Sequence, residues 1–482
     1  MPQKAFSQYL APLIGMIITF GFGYLPAIDP ITPMGMKVLG AFLGMIFLWS
    51  FCSVLWSSLV GIIALAISGY APMPKVVAMS FGDLVPVLIF FSMVLFGAIQ
   101  DAGITRYMAR WFLTRKMLNG RPFLFSFVFI YTTYLLGGLA ANIMPVLLLM
   151  WSVLYSFLQE VGYKRGDRYT AIMVIGTLFG AISGQASKPF TGSALMIAGS
   201  FEKVANTNLN YMQYMIFGFI LCSLCIVLVS LFIKFVLRPD VSRIANISVE
   251  HFEKDKLPPM DLRQKILAAV LAGFFILVLL PTLIPNTIIG MGLLSKMGPL
   301  GVAIAFVAGL CLFKVDGKPL MNFKEAAGKH VVWDVYLLVA MAMAISKAMT
   351  AEGMGITPFM MQNLDPILGG HGPIMFMALL ILISCSVTQF ANNGVMGVLL
   401  MPIIGAFAES NGIFFEATAV LVIFSTHIAL LTPASSPYAA ILYGNAEWID
   451  KRDVVKYAIC IFTITTLTYV LIGIPVANMI YG

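Results

Sequence analysis

The stretch LAANIMPVLLLM at residues 139–150 returns as FANNGVMGVLLM at residues 390–401, 251 positions later, pairing Asn142 with Asn393. The same spacing joins Asp83 to Asp334, each opening an apolar span, and Asp101 to Glu352, each closing one. Further on, SKPFTGSALMIAG at 187–199 parallels TPASSPYAAILYG at 432–444, offset by 245. Three coincidences at one spacing make chance a poor explanation. The chain is built from two related halves.

Outward from these motifs the chain is apolar almost throughout. Of 482 residues 60% are hydrophobic and 10% charged, and the mean hydropathy is +0.95. A soluble domain carries about a quarter charged residues, so a water-soluble enzyme and a disordered chain are both excluded. The 42 glycines and 25 prolines suit spans that break inside a membrane. The expected fold is an all-α polytopic membrane protein. Clean spans fall at 9–28, 34–51, 53–71, 83–103, 211–237, 264–285, 298–314, 331–350 and 456–480. Regions 121–160 and 373–410 are too long for one helix and read as hairpins that enter and leave on one side. Regions 169–204 and 416–446, with polar and proline interruptions, read as broken helices. That makes about eleven transmembrane helices plus two re-entrant hairpins. Residues 1–33 hold the first span, with no cleavage site after it and so expected to persist. Residues 34–237 form the first repeat, 238–263 a polar linker and 264–482 the second repeat.

The net charge of +8 belongs to the flanks of these spans rather than to a nucleic-acid surface. With the N-terminus inside, twenty-three lysines and arginines lie on the cytoplasmic side and four outside; Lys188 and Lys347 lie at membrane depth. The chain is expected in the cytoplasmic (inner) membrane, and the positive-inside rule sets its N-terminus cytoplasmic and, with eleven spans, its C-terminus outside. The bilayer is its first partner. Residues 106–121 interleave basic and apolar residues as an interfacial amphipathic helix does. The six cysteines lie in apolar runs, so a disulfide framework is not expected. Five spans plus a hairpin per repeat force the second copy upside down. Inverted repeats with broken helices are the build of secondary transporters, whose sites lie where the breaks meet.

On these motifs the sequence resembles the divalent anion/sodium symporter family of the wider ion transporter superfamily, over essentially the whole chain after the first span. In that family each hairpin tip carries Ser-Asn-Thr and each broken helix a Gly-Thr-Pro-Pro-Asn-like turn. The tip asparagine is matched by Asn142 and Asn393, while its neighbours are Ala141 and Ile143 in one tip, Asn392 and Gly394 in the other. The turn at 433–437 keeps the hydroxyl–proline pattern, and that at 189–193 keeps only the hydroxyls. The resemblance implies an elevator-type carrier of di- or tricarboxylates or sulfate, a homodimer, and sodium as the candidate coupling ion.

Asn142, Asn393 and Asn392 could hold a carboxylate through NH₂, and the first two could offer a carbonyl oxygen to sodium. Alternatively each caps its own turn. Thr191, Ser193, Thr432, Ser435 and Ser436 supply hydroxyls to a small anion or to the backbone groups freed by the breaks. Gln185 is a further donor. His427 reads as a packed neutral histidine or as a coupling group. Asp83, Asp101, Asp334 and Glu352 read as helix caps. Lys188 stands out: an unpaired ammonium at membrane depth costs at least about 2.5 kcal/mol. It either snorkels to water, or stands where related carriers hold sodium or bind a substrate carboxylate.

No Walker, HExxH or GxSxG pattern occurs, so energy must come from a gradient or from anion exchange. The leading expectation is a secondary carrier of small organic anions. The alternatives are a membrane subunit needing a soluble binding protein, as in tripartite carriers, and an intramembrane enzyme.

Overall fold

The computed structural model describes residues 9–113, 120–190, 192–244, 258–284, 290–359, 362–363, 372–390, 393–411, 413–433 and 435–482. Thr191 and Asn392, both expected in the site, lie outside the described residues.

The first half runs α1 (Ala11–Gly21), α2 (Pro33–Phe51), α3 (Val54–Ile67), α4 (Met73–Phe81), α5 (Leu84–Asp101), α6 (Ile104–Leu113), α7 (Pro122–Leu139), α8 (Ile143–Val161), α9 (Arg168–Ala186), α10 (Gly192–Ala205) and α11 (Tyr211–Phe232). The second runs α12 (Leu262–Leu283), α13 (Met291–Leu312), α14 (Phe323–His330), α15 (Trp333–Met349), α16 (Pro373–Val387), α17 (Asn393–Asn411), α18 (Phe415–His427), α19 (Pro437–Gly444), α20 (Lys451–Thr468) and α21 (Ile474–Tyr481). Two short antiparallel strands, β1 (Lys314–Val315) and β2 (Lys318–Pro319), join α13 to α14. Among the described residues eight helices are long and apolar enough to cross a bilayer, or nine if α14 and α15, bent by 79°, make one span.

Local chemistry sets the boundaries. Thr32, Asp83, Asn142 and Asn210 each accept a backbone N–H at a helix start, and Asp261 with Gln264 closes a full capping box. Pro122 and Pro373 start the two hairpins, where a missing N–H is harmless. The span expected at 298–314 begins earlier, at Met291, and bends at Gly298 (φ 57°), because Pro299 disfavours helical geometry in the residue before it.

The helices bearing the two breaks lie at the centre. Helix α9 is buried at every residue from Tyr169 to Gly184, and α18 from Ala417 to His427. A helix apolar on all sides demands such enclosure. Gly184 makes it attainable: a Cβ there would stand 2.1 Å from the Tyr134 carbonyl oxygen of α7.

Candidate functional site

Each half brings a hairpin tip onto its own break. In the first, α7 and α8 meet at 140–142, and α9 stops at Ala186 before α10 resumes at Gly192. Lys188, 2% exposed, turns back from this break. Its ammonium donates to the Ala140 carbonyl, which ends α7, and lies 4.9 Å from the centre of the Phe96 ring. The negative end of a helix dipole and an aromatic face are both places where a cation is held. At 2% exposure the side chain turns inward onto the Ala140 carbonyl, rather than extending to the molecular surface as the snorkelling alternative has it. Ser187 donates to the Ser183 carbonyl at 3.0 Å, and Tyr214 donates to the Ala186 carbonyl at 2.5 Å. Freed backbone groups of the break are met by side chains.

The second junction is closed the other way round, by a residue of the hairpin. Gln389, 2% exposed, accepts the Leu430 and Leu431 N–H groups at 3.2 and 3.0 Å and donates to the carbonyls of Cys385 (2.8 Å) and Ile428. Thr432 donates to the Gln389 carbonyl, and Thr388 to the Thr426 carbonyl at 2.8 Å. Ser435 donates to the Thr432 carbonyl at 2.7 Å; Ser436 donates to Ala429 at 3.0 Å and caps α19 by accepting the Ala439 N–H. Thr432, Ser435 and Ser436 thus serve the break itself. Gln389 went unnoticed in the sequence because its partner at offset 251 is Gly138, so comparing the repeats gives it no weight.

The breaks touch each other. His427 (3% exposed) has Nδ1 at 2.7 Å from the Ile423 carbonyl, which can only accept, so Nδ1 carries a proton. Nε2 lies 2.8 Å from the Ser193 hydroxyl, and in the neutral ring it accepts from it. Gln185, ending α9, faces Tyr438 of α19. The tip asparagines behave alike: Asn142 Oδ1 accepts the Met144 N–H and Asn393 Oδ1 the Gly394 N–H, both at 2.9 Å. With Oδ1 committed, what each can offer an anion is its NH₂.

A cavity of about 920 Å³ reaches Asn142 from one side of the molecule, lined also by Gln100, Arg106, Ser152, Lys329 and His330. Asn393 is not among its lining residues, so the two tips do not share this cavity. A smaller one, about 270 Å³, holds Lys188 with Tyr134 and Ser187. At the mouth of the larger cavity Asp101 pairs with Lys329 (2.5 Å) and His330 (2.7 Å). Asp101 is thus an ion-pair partner, not a cap: it ends its helix, where a carboxylate opposes the dipole. Asp83 does cap α5 and also pairs with Lys203 at 2.6 Å. Among the described residues no cluster of His, Cys, Asp or Glu could hold a metal ion, and all six cysteines are free.

Paired helices whose tips rest on interrupted helices in an apolar bundle define a helical membrane protein, and the comparisons identify it as a transporter. Residues 44–426 match the family model described as citrate transporter, and the chain belongs to that family. It is a family of membrane transporters, and the intramembrane-enzyme alternative is set aside. The chain is 29% identical over 169 residues to the uncharacterized transporter YfbS of Escherichia coli, covering 35% of this chain and 27% of that protein. It is 28% identical over 134 residues to the Na(+)/citrate cotransporter of Rattus norvegicus, covering 27% and 23%. The matched stretches thus span about a quarter of those relatives' lengths. The Alcanivorax borkumensis YdaH transporter shares the fold, with TM-score 0.57 and 12% identity over 92% of this chain and 98% of its own.

Proposed function

We propose that the protein carries citrate-like carboxylate anions across the cytoplasmic membrane as a secondary carrier, and that the Lys188 ammonium serves where relatives would use a coupling sodium ion. The observation that carries this reading is the lysine itself. Its charge rests on the carbonyl that ends the first hairpin arm, buried and fixed to the chain. A cation that cannot leave with the substrate cannot be cotransported. The carrier then works by exchanging one anion for another, and sodium is dispensable.

Alternating access has support in the contacts. The cavity opens from the side that the charge count makes cytoplasmic, where Arg106 and Lys329 lie. On the opposite side Lys203 holds Asp83, and Ser200 and Ser346 lie 3.1 Å apart, tying α10 to α5 and α15. This is an inward-open form. The ion pairs Lys203–Asp83, Lys329–Asp101 and Arg165–Asp450 each join groups that the charge count sets on one side. That agreement supports the relative sidedness of the inverted repeats and re-entrant hairpins, and the charge count supports a cytoplasmic N-terminus. The elevator motion and the homodimer rest on the family resemblance.

The tripartite alternative has no support from the family matched. Proteoliposomes containing this chain alone, loaded with unlabelled citrate or succinate, should take up labelled anion; uptake that requires an added soluble protein would contradict the reading.

A further inference from the structure

We infer that the cargo crosses as a singly charged carboxylate: a monoanion, or a di- or tricarboxylic acid in its singly ionised form. This rests on the carrier reading above and concerns the charge state of what that site takes. The observation is a count of charge. Among the residues whose side chains are described, Lys188 is the only lysine, arginine, aspartate or glutamate that is fully buried. Lys347, also at membrane depth by sequence, is exposed, and Arg106, Asp101 and Lys329 stand at the cavity mouth. The residues of the tips and breaks outside the description (Thr191, Ala391, Asn392 and Ala434) are neutral in kind.

Helix N-termini could add positive potential, and several point into this region. At three of these starts a side chain takes one N–H group, and a dipole end carries only partial charge, about half a unit at most. Asn142 accepts at the start of α8, Asn393 at α17 and Ser436 at α19, while Gln389 takes the Leu430 and Leu431 amides. Lys188 is the one full positive charge that the buried interior sets against the cargo. A carboxylate with one negative charge leaves the loaded interior neutral. A dianion leaves one charge uncompensated in a water-poor medium, where ions give up charge rather than stay unpaired.

The groups facing Lys188 do not alter the balance. Helix α7 presents Tyr134 and α5 presents Phe96; Met108 of α6, Met215 and Phe219 of α11 and Phe275 of α12 complete the small cavity. Cys222 of α11 lies behind, donating to the Ser183 carbonyl. His427, on the other break, is turned to Ser193.

The test is exchange kinetics in proteoliposomes from about pH 5.5 to about pH 8, with labelled succinate and labelled monomethyl succinate, whose single carboxylate stays ionised throughout. The expected half-saturation concentration of total succinate, taken relative to that of the monoester at the same pH, climbs about tenfold per pH unit above the acid's upper pKa. Lys188→Arg should keep this pattern and Lys188→Gln should lose it. Succinate exchange with a pH-independent half-saturation and no exchange of the monoester overturns the inference and leaves the carrier reading standing. Equal pH dependence of both probes overturns it too, since the ionisation of succinate then does not govern its recognition. Failure to exchange any carboxylate overturns both.

Discussion

The first hairpin–break junction is closed by a charged side chain reaching from break to hairpin, the second by a neutral one reaching from hairpin to break. Lys188 donates to Ala140; Gln389 makes hydrogen bonds to Leu430, Leu431, Cys385 and Ile428. Both side chains are 2% exposed. A broken helix and a hairpin end both leave backbone polar groups that must be satisfied in an apolar medium. An amide, with donors and acceptor, settles such a junction without adding charge. A lone ammonium settles one carbonyl and leaves a unit charge behind. The second junction therefore reads as architecture, and the first as architecture that also holds a charge, the one our proposed carrier sets against its anion.

The largest effect should come from Lys188→Ala. Hydrogen bonds to charged groups are worth about 1.5–3 kcal/mol, so anion exchange should fall roughly 10- to 100-fold. The amount of folded protein should change little, because relief of the buried charge offsets the loss of one hydrogen bond to the Ala140 carbonyl. Loss of folding with no specific loss of transport per folded molecule would break the distinction.

Gln389→Ala should behave oppositely. It strands several buried backbone groups at about 1–3 kcal/mol each, so thermal stability in detergent should drop clearly. Exchange per folded molecule should fall less than with Lys188→Ala. A stable variant devoid of exchange would move substrate recognition to the second junction.

A smaller change is expected where the halves meet. Ser193→Ala removes one hydrogen bond to His427, worth about 1 kcal/mol, so a loss of roughly fivefold is expected. His427→Asn, which can still donate to the Ile423 carbonyl, should match it.

Asp83→Asn keeps an oxygen for the α5 cap but drops the charge that holds Lys203. With Lys203 32% and Asp83 11% exposed, the pair is worth about 1 kcal/mol or less. If it fastens the outer side in the inward-open form, accessibility should shift modestly outward, read as faster labelling of a cysteine placed at Ala205.

The fold was readable because hydropathy, proline position and the 251-residue spacing report directly on span length and break position. Lys188 was readable because a charge at membrane depth is improbable without a reason. Three features were not. Gln389 has no counterpart in the other repeat, and symmetry directs attention to matching residues while the two junctions use unmatched ones. Asp101 looked like a cap because sequence shows that it ends a span, not that Lys329 and His330 wait 228 and 229 residues away. The link between Ser193 and His427 joins positions 234 apart, and only folding brings them together.

The most direct test of the fixed-charge account is anion exchange by the unmodified protein in proteoliposomes, measured with external sodium fully replaced by choline. The account predicts an unchanged rate, with loss of exchange in Lys188→Ala under both conditions. A rate that collapses without sodium would contradict it.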